Sequence, residues 1–197
     1  MRVFIVIDNV DFEHMGKCYG GGSLTPHMDS IAERGVKFSR AYAVTPLCVP
    51  SRYTCLTGRY ASRAQQDHAG EETDGSTKHV SLEAHLPNLP NVMRKAGYVT
   101  GFVGKYHLES EQLSPPFAGK NGNVFDPEAD RWLKERNGKL VARIRERGFD
   151  YVFDAIDFRN SQFKGIEFEW GCHNLEAEVH GALTFIEQNK KKPFFLC

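Results

Sequence analysis

The order of patterns along the chain predicts an α/β fold, a mostly parallel sheet flanked by helices. Three observations carry that reading. Short apolar runs recur at "VFIVID", "YVTGFVG" and "KKPFFLC"; stretches with helical periodicity separate them; and Asp8, Cys48 and the Lys105/His107 pair each follow an expected strand. Open parallel sheets place their ligands at the carboxyl ends of strands, so the third observation bears on function as well as fold.

"VFIVID" is short and β-branched, and it ends in an acid, as a buried parallel strand does when its carboxyl end carries a functional or capping side chain. "TPHMDSIAERG" then reads as a helix with Thr25 as N-cap, Pro26 at the first helical position and Gly35 as its stop; Met28, Ile31 and Ala32 share one face. "VKFSRAYAV" alternates and is expected as a second strand. "LCVPSRYTCLTGRYASR" supplies a loop and a short helix ending near Gly58, and Ala64 to Ser81 reads as polar loop.

"NLPNVMRKAGYVTGFVGKYHL" predicts a helix through Ala96, a stop at Gly97, a strand over "YVTGFVG" and a loop bearing Lys105 and His107. Residues 109–147 are rich in charge, Gly and Pro; they read as an excursion from the sheet containing one solvated amphipathic helix around "DPEADRWLKERNGKLVARIRER". In "NLEAEVHGALTFIEQN", Leu175, Val179, Leu183 and Ile186 fall at helical spacing with Asn174 as cap, and "KKPFFLC" begins a further strand. Ending in an apolar strand, the 197-residue chain is expected to be the N-terminal part of one longer catalytic domain whose remainder is absent.

Composition narrows the function classes. Lys plus Arg and Asp plus Glu are 25 each, so there is no basic excess to neutralise phosphates, and neither nucleic acid nor an anionic membrane is expected as partner. No apolar run approaches the roughly 20 residues of a membrane span, and the first residues turn polar too early for a signal peptide. Compartment and oligomeric state stay open. The five cysteines, Cys18, Cys48, Cys55, Cys172 and Cys197, form no CxxC or zinc spacing. Cys55, inside the short helix, is expected in the core. The other histidines, among them His14, His85 and His180, match no metal spacing, and Trp132 and Trp170 either line a cleft or pack.

In "LCVPSRYTCLTGR" each residue has an ordinary use: Cys48 as a small apolar group, Pro50 in a first helical turn, Ser51 and Thr57 in local backbone hydrogen bonds. Taken together, Cys48, Pro50, Ser51, Arg52, Leu56, Thr57, Gly58 and Arg59 spell C-x-P-S-R-x-x-x-L-T-G-R, which resembles the signature of the formylglycine-dependent sulfatases of the alkaline phosphatase superfamily. Six such positions at about one in twenty each recur by chance about once in tens of millions of starts. The resemblance extends over most of the chain. "GYVTGFVGKYHLE" resembles the family's G-Y-x-T-x-x-x-G-K-W-H-L-G segment with Tyr106 for Trp and Glu109 for Gly, and "VFIVIDN" resembles its first strand. "GFDYVFD" and "FIEQNKKKPFFL" resemble two later segments.

The resemblance implies a sulfuric ester hydrolase. A separate formylglycine-generating enzyme would oxidise Cys48 to the aldehyde, whose hydrate attacks sulfur with one hydroxyl and expels sulfate with the other. Arg52 and Lys105 would steady sulfate and the aldehyde hydrate, and His107 would hydrogen-bond the diol. A divalent cation, usually calcium in the family, would be held by Asp8, Asn9 and the modified Cys48. The family's first strand ends in an Asp-Asp pair; Asn9 offers an amide oxygen but one negative charge fewer. Without the resemblance, Asp8 would read equally well as a cap.

Two other readings remain beside this one. A phosphonate monoester or phosphodiester hydrolase of the same superfamily uses the same nucleophile on a similar tetrahedral anion. An inactive truncated piece is the third, because the family's remaining cation ligands and a second Lys and His come from later segments. Relatives are often periplasmic, secreted or lysosomal.

Overall fold

Parallel pairing demands crossover connections, and the chain supplies helices for them. The computed structural model describes residues 1–7, 16, 20–22, 24–64, 80–108, 127–156 and 174–197. Its strands β1 (Arg2–Val3), β2 (Val99–Lys105), β3 (Tyr151–Ile156) and β4 (Phe194–Leu196) form one sheet in the order β1-β4-β2-β3. Every pairing is parallel. The helices are α1 (Pro26–Arg34), α2 (Cys48–Thr57), α3 (Leu89–Lys95), α4 (Pro127–Glu146) and α5 (Asn174–Asn189), with one 3-10 turn at Ala61–Arg63. Two compact units divide the chain: one comprises Met1–Phe4 with Thr45–Cys197, and the other Ile5–Val44.

Alternation along β2 and β4 gives the first unit two cores. Phe102 and Phe195 lie in one with Val49, Tyr53 and Leu56 of α2, Met93 of α3, Ile144 of α4, and Phe149. Val99, Val103, Phe194 and Leu196 lie in the other with Phe185, Ala182 and Ile186 of α5. Helices therefore cover both faces, as expected.

Several elements differ from expectation. The first strand is two residues long and exposed, because β1 sits at the sheet edge; the ladder extends only through Phe4 N–H donating to the Leu196 carbonyl at 2.8 Å. Residues 36–44 form no strand: alternation without a pairing partner leaves Val36, Phe38 and Tyr42 exposed. α1 has the expected Thr25 and Pro26 start, yet its apolar face stays unburied, with Ile31 exposed.

α4 is a helix as expected but only partly solvated, since Ile144 near its end is fully buried and Leu140 and Val141 pack beside it. On α5 the buried stripe runs through Ala177, Gly181 and Phe185, whereas Leu175, Val179 and Leu183 are exposed. Close approach decides this: a Cβ on Gly101 of β2 would fall 2.7 Å from the Phe185 ring, so helix and sheet meet where side chains are smallest. Cys55 is exposed because α2 buries Val49, Tyr53 and Leu56 on its opposite side.

Candidate active site

Cys48 is the first residue of α2, and half-buried. Leu47 is the N-cap without a capping side chain, and Ser51 N–H returns to the Leu47 carbonyl at 3.2 Å. The helix is anchored on its other side: Tyr53 is fully buried and donates from its hydroxyl to both carboxylate oxygens of Glu83 at 2.9 and 3.1 Å. Arg59 pairs with the same carboxylate at 2.9 Å, and its guanidinium lies over the Tyr53 ring, 5.4 Å from the centroid. Gly58, at φ 68°, closes the helix in the left-handed region and turns the chain toward Arg59.

β2 supplies the opposing groups. Tyr106 and Leu108 are both buried, and Tyr106 meets Phe102 edge-on with centroids 5.3 Å apart. His107, between them, is half-buried at φ 55°, a left-handed conformation that costs a non-glycine residue about 1 kcal/mol. Its Nδ1 lies 3.3 Å from the Cys48 sulfur, within hydrogen-bond reach.

Arg52 follows Cys48 by one helical turn, so both share a face of α2. Its Nη1 donates to the Lys105 carbonyl at 2.6 Å, which ties the helix to the end of β2. Burial pushes the Cys197 thiol at the end of β4 up to about 12, opposed by the Arg52 charge. The tie to Lys105 sets the guanidinium at the carboxyl end of β2.

The structure therefore brings Cys48 and His107 into contact, and Arg52 and Lys105 together through the Lys105 backbone. Asp8 and Asn9 lie outside the described residues, as do Glu109, His14 and Trp170. Among the described residues there is no group of three or more His, Cys, Asp or Glu able to hold a metal ion. The donor chemistry of the expected set still fits a hard cation: Asp8 and Asn9 offer oxygen, and position 48 offers oxygen once sulfur is replaced. The buried Tyr53–Glu83–Arg59 network was not anticipated; an acid inside the apolar "HVSLEAHL" was its only signal in the sequence.

A family model described as Sulfatase matches residues 2–197. The chain is similar to an N-acetylgalactosamine-6-O-sulfatase of Bacteroides thetaiotaomicron, 32% identical over 77% of this chain and 25% of that protein. It is also similar to the N-acetylgalactosamine-6-sulfatase of Canis lupus familiaris, 33% identical over 98% of this chain and 38% of that protein. A solved structure, in complex with its substrate D-glucosamine-2-N,6-O-disulfate, superposes with a TM-score of 0.61 at 23% identity, covering 99% of this chain and 33% of that one. The chain thus spans between a quarter and two fifths of the length of these proteins.

Proposed function

The chain belongs to the sulfatase family, and we propose that the complete protein hydrolyses a sulfate ester to an alcohol and sulfate, with formylglycine made from Cys48 as its nucleophile. The observation that carries the reading is the 3.3 Å approach of His107 Nδ1 to the Cys48 sulfur at the start of α2. That sulfur stands in for oxygen of the modified residue. Once formed, formylglycine would supply both the attacking oxygen and the means of releasing sulfate afterwards; a bound divalent cation, held with Asp8 and Asn9, would withdraw charge from the sulfate oxygens.

The chain's own residues divide the remaining work. His107 accepts or returns a proton at its Nδ1, the nitrogen that faces position 48. Arg52 offers a permanently charged guanidinium to an oxyanion, and its tie to the Lys105 carbonyl holds it there without reorganisation during reaction. Lys105, at the end of β2, adds a second positive charge. The first turn of α2 contributes unpaired backbone N–H groups and the positive end of its dipole. A tetrahedral dianionic product matches those charges.

Sulfate on a sugar is the substrate class favoured by the similar proteins, two of which are named for 6-sulfates of N-acetylgalactosamine. The test uses full-length protein made with a formylglycine-generating enzyme and assayed on an aryl sulfate, a 6-O-sulfated N-acetylhexosamine and an aryl phosphonate ester. Sulfate ester turnover that falls at least about a thousandfold in Cys48→Ala is expected. Turnover surviving that substitution contradicts the mechanism, and preference for the phosphonate ester replaces the reaction class.

A further inference from the structure

α5 buries its sheet-facing stripe almost wholly with small and apolar residues, but one member of that stripe is acidic. Glu178 precedes Gly181, Ala182 and Phe185 by three, four and seven positions, so all four share the face that packs on β2 and β3. The Glu178 carboxylate meets β2 at Gly104: a Cβ there would lie 3.4 Å from Glu178 Oε1. Gly104, at φ 95°, sits at the register shift in the β2–β3 ladder and immediately precedes Lys105.

The Lys105 carbonyl is where Arg52 is tied from the other face of the sheet. Two charges carried by helices on opposite faces thus converge on two consecutive residues at the strand's carboxyl edge. Burial pushes the Glu178 carboxyl upward, and the Arg52 charge pulls it back down, so each feels the other across Gly104. A half-buried carboxylate on a stripe that is otherwise small and apolar costs desolvation unless a positive charge offsets it.

We propose that Glu178 is a positioning residue, whose carboxylate acts as the counter-charge that orients the Arg52 guanidinium over the Gly104–Lys105 backbone toward position 48. This rests on the functional reading above. With Glu178 in place the guanidinium that donates to the Lys105 carbonyl has a carboxylate beside Gly104, one residue earlier, as its counter-charge. Without it, Arg52 keeps its charge and its tie to the carbonyl but loses that orienting field, which affects transition-state stabilisation more than substrate capture.

The test compares Glu178→Gln and Glu178→Asp in full-length protein. Expected for Gln is a kcat about tenfold lower with KM within about twofold, and for Asp, which retains the charge, a kcat within about threefold of the parent. In parallel, thermal unfolding of Glu178→Gln, Arg52→Gln and the double variant reads the pair without any turnover: the double loss in Tm should be smaller than the sum of the single losses. Additive Tm losses, or an unchanged kcat in Glu178→Gln, overturn the proposal. Failure of the parent protein to hydrolyse any sulfate ester overturns the functional reading instead, and the thermal cycle still decides the pairing.

Discussion

At the scale of single residues, His107 couples function to backbone geometry. A histidine at φ 55° between two buried neighbours is held there by the packing of Tyr106 and Leu108, not by its own preference. Glycine is indifferent to that conformation and alanine is not. His107→Gly is therefore expected to be about 1 kcal/mol more stable than His107→Ala in chemical denaturation, while both lose turnover. Equal stabilities would show that the left-handed turn carries no strain. Cys48, Arg52, Lys105 and His107 stand out in the sequence because each lies in a short contiguous motif, and the structure sets Cys48 beside His107 and ties Arg52 to the Lys105 carbonyl. Glu178 was not: its partner Arg52 is distant in the chain, and a lone acid in "NLEAEVHGALTFIEQN" looks like solvated helix surface.

At the scale of elements, α2 is fixed by the Tyr53–Glu83–Arg59 network, which joins it to the segment before α3. Glu83 is a buried carboxylate met by both the Tyr53 hydroxyl and the Arg59 guanidinium, and loss of Arg59 removes a counter-charge from it. The Tyr53 phenol is pushed up to about 12, first by burial, then by the hydrogen bond and charge of Glu83, with Arg59 opposing. The folded protein thus holds this proton more tightly than the unfolded chain, where a phenol titrates near 10. Its stabilising contribution is complete below about pH 10 and is lost as pH rises through about 12. Tyr53→Phe should flatten the fall of Tm across that window; parallel slopes for the two proteins would exclude the effect.

Element boundaries also show where sequence patterns mislead. Gly97 and Gly58 mark helix ends through local chemistry, and both do so in the structure at positive φ; Asn88 caps α3, its Oδ1 accepting from Asn91 N–H at 2.9 Å. The expected face of α5 holds at Ile186 but not at Leu175, Val179 and Leu183, because periodicity rewards large apolar residues whereas close approach to Phe153 of β3 selects Gly181. Residues 36–44 alternate as a strand would, yet strand formation depends on a neighbour that no local pattern encodes.

At the scale of the whole molecule, the parallel order β1-β4-β2-β3 gathers Cys48 of α2, Lys105 and His107 of β2's end, and the end of β4 along one edge of the sheet. The alternation of strands and helices made that architecture legible, and superposition on a solved structure at a TM-score of 0.61 agrees with it. Strand order was not legible, because two of the three pairings join segments more than ninety residues apart and leave no local signature. The central claim is that Cys48 is the precursor of the nucleophile. The most direct test is the mass of the tryptic peptide "AYAVTPLCVPSR", Ala41 to Arg52, from protein produced with a formylglycine-generating enzyme. The account predicts a peptide in which one oxygen has replaced sulfur and two hydrogens at Cys48; an intact thiol, beside a control sulfatase peptide that was converted, would contradict it.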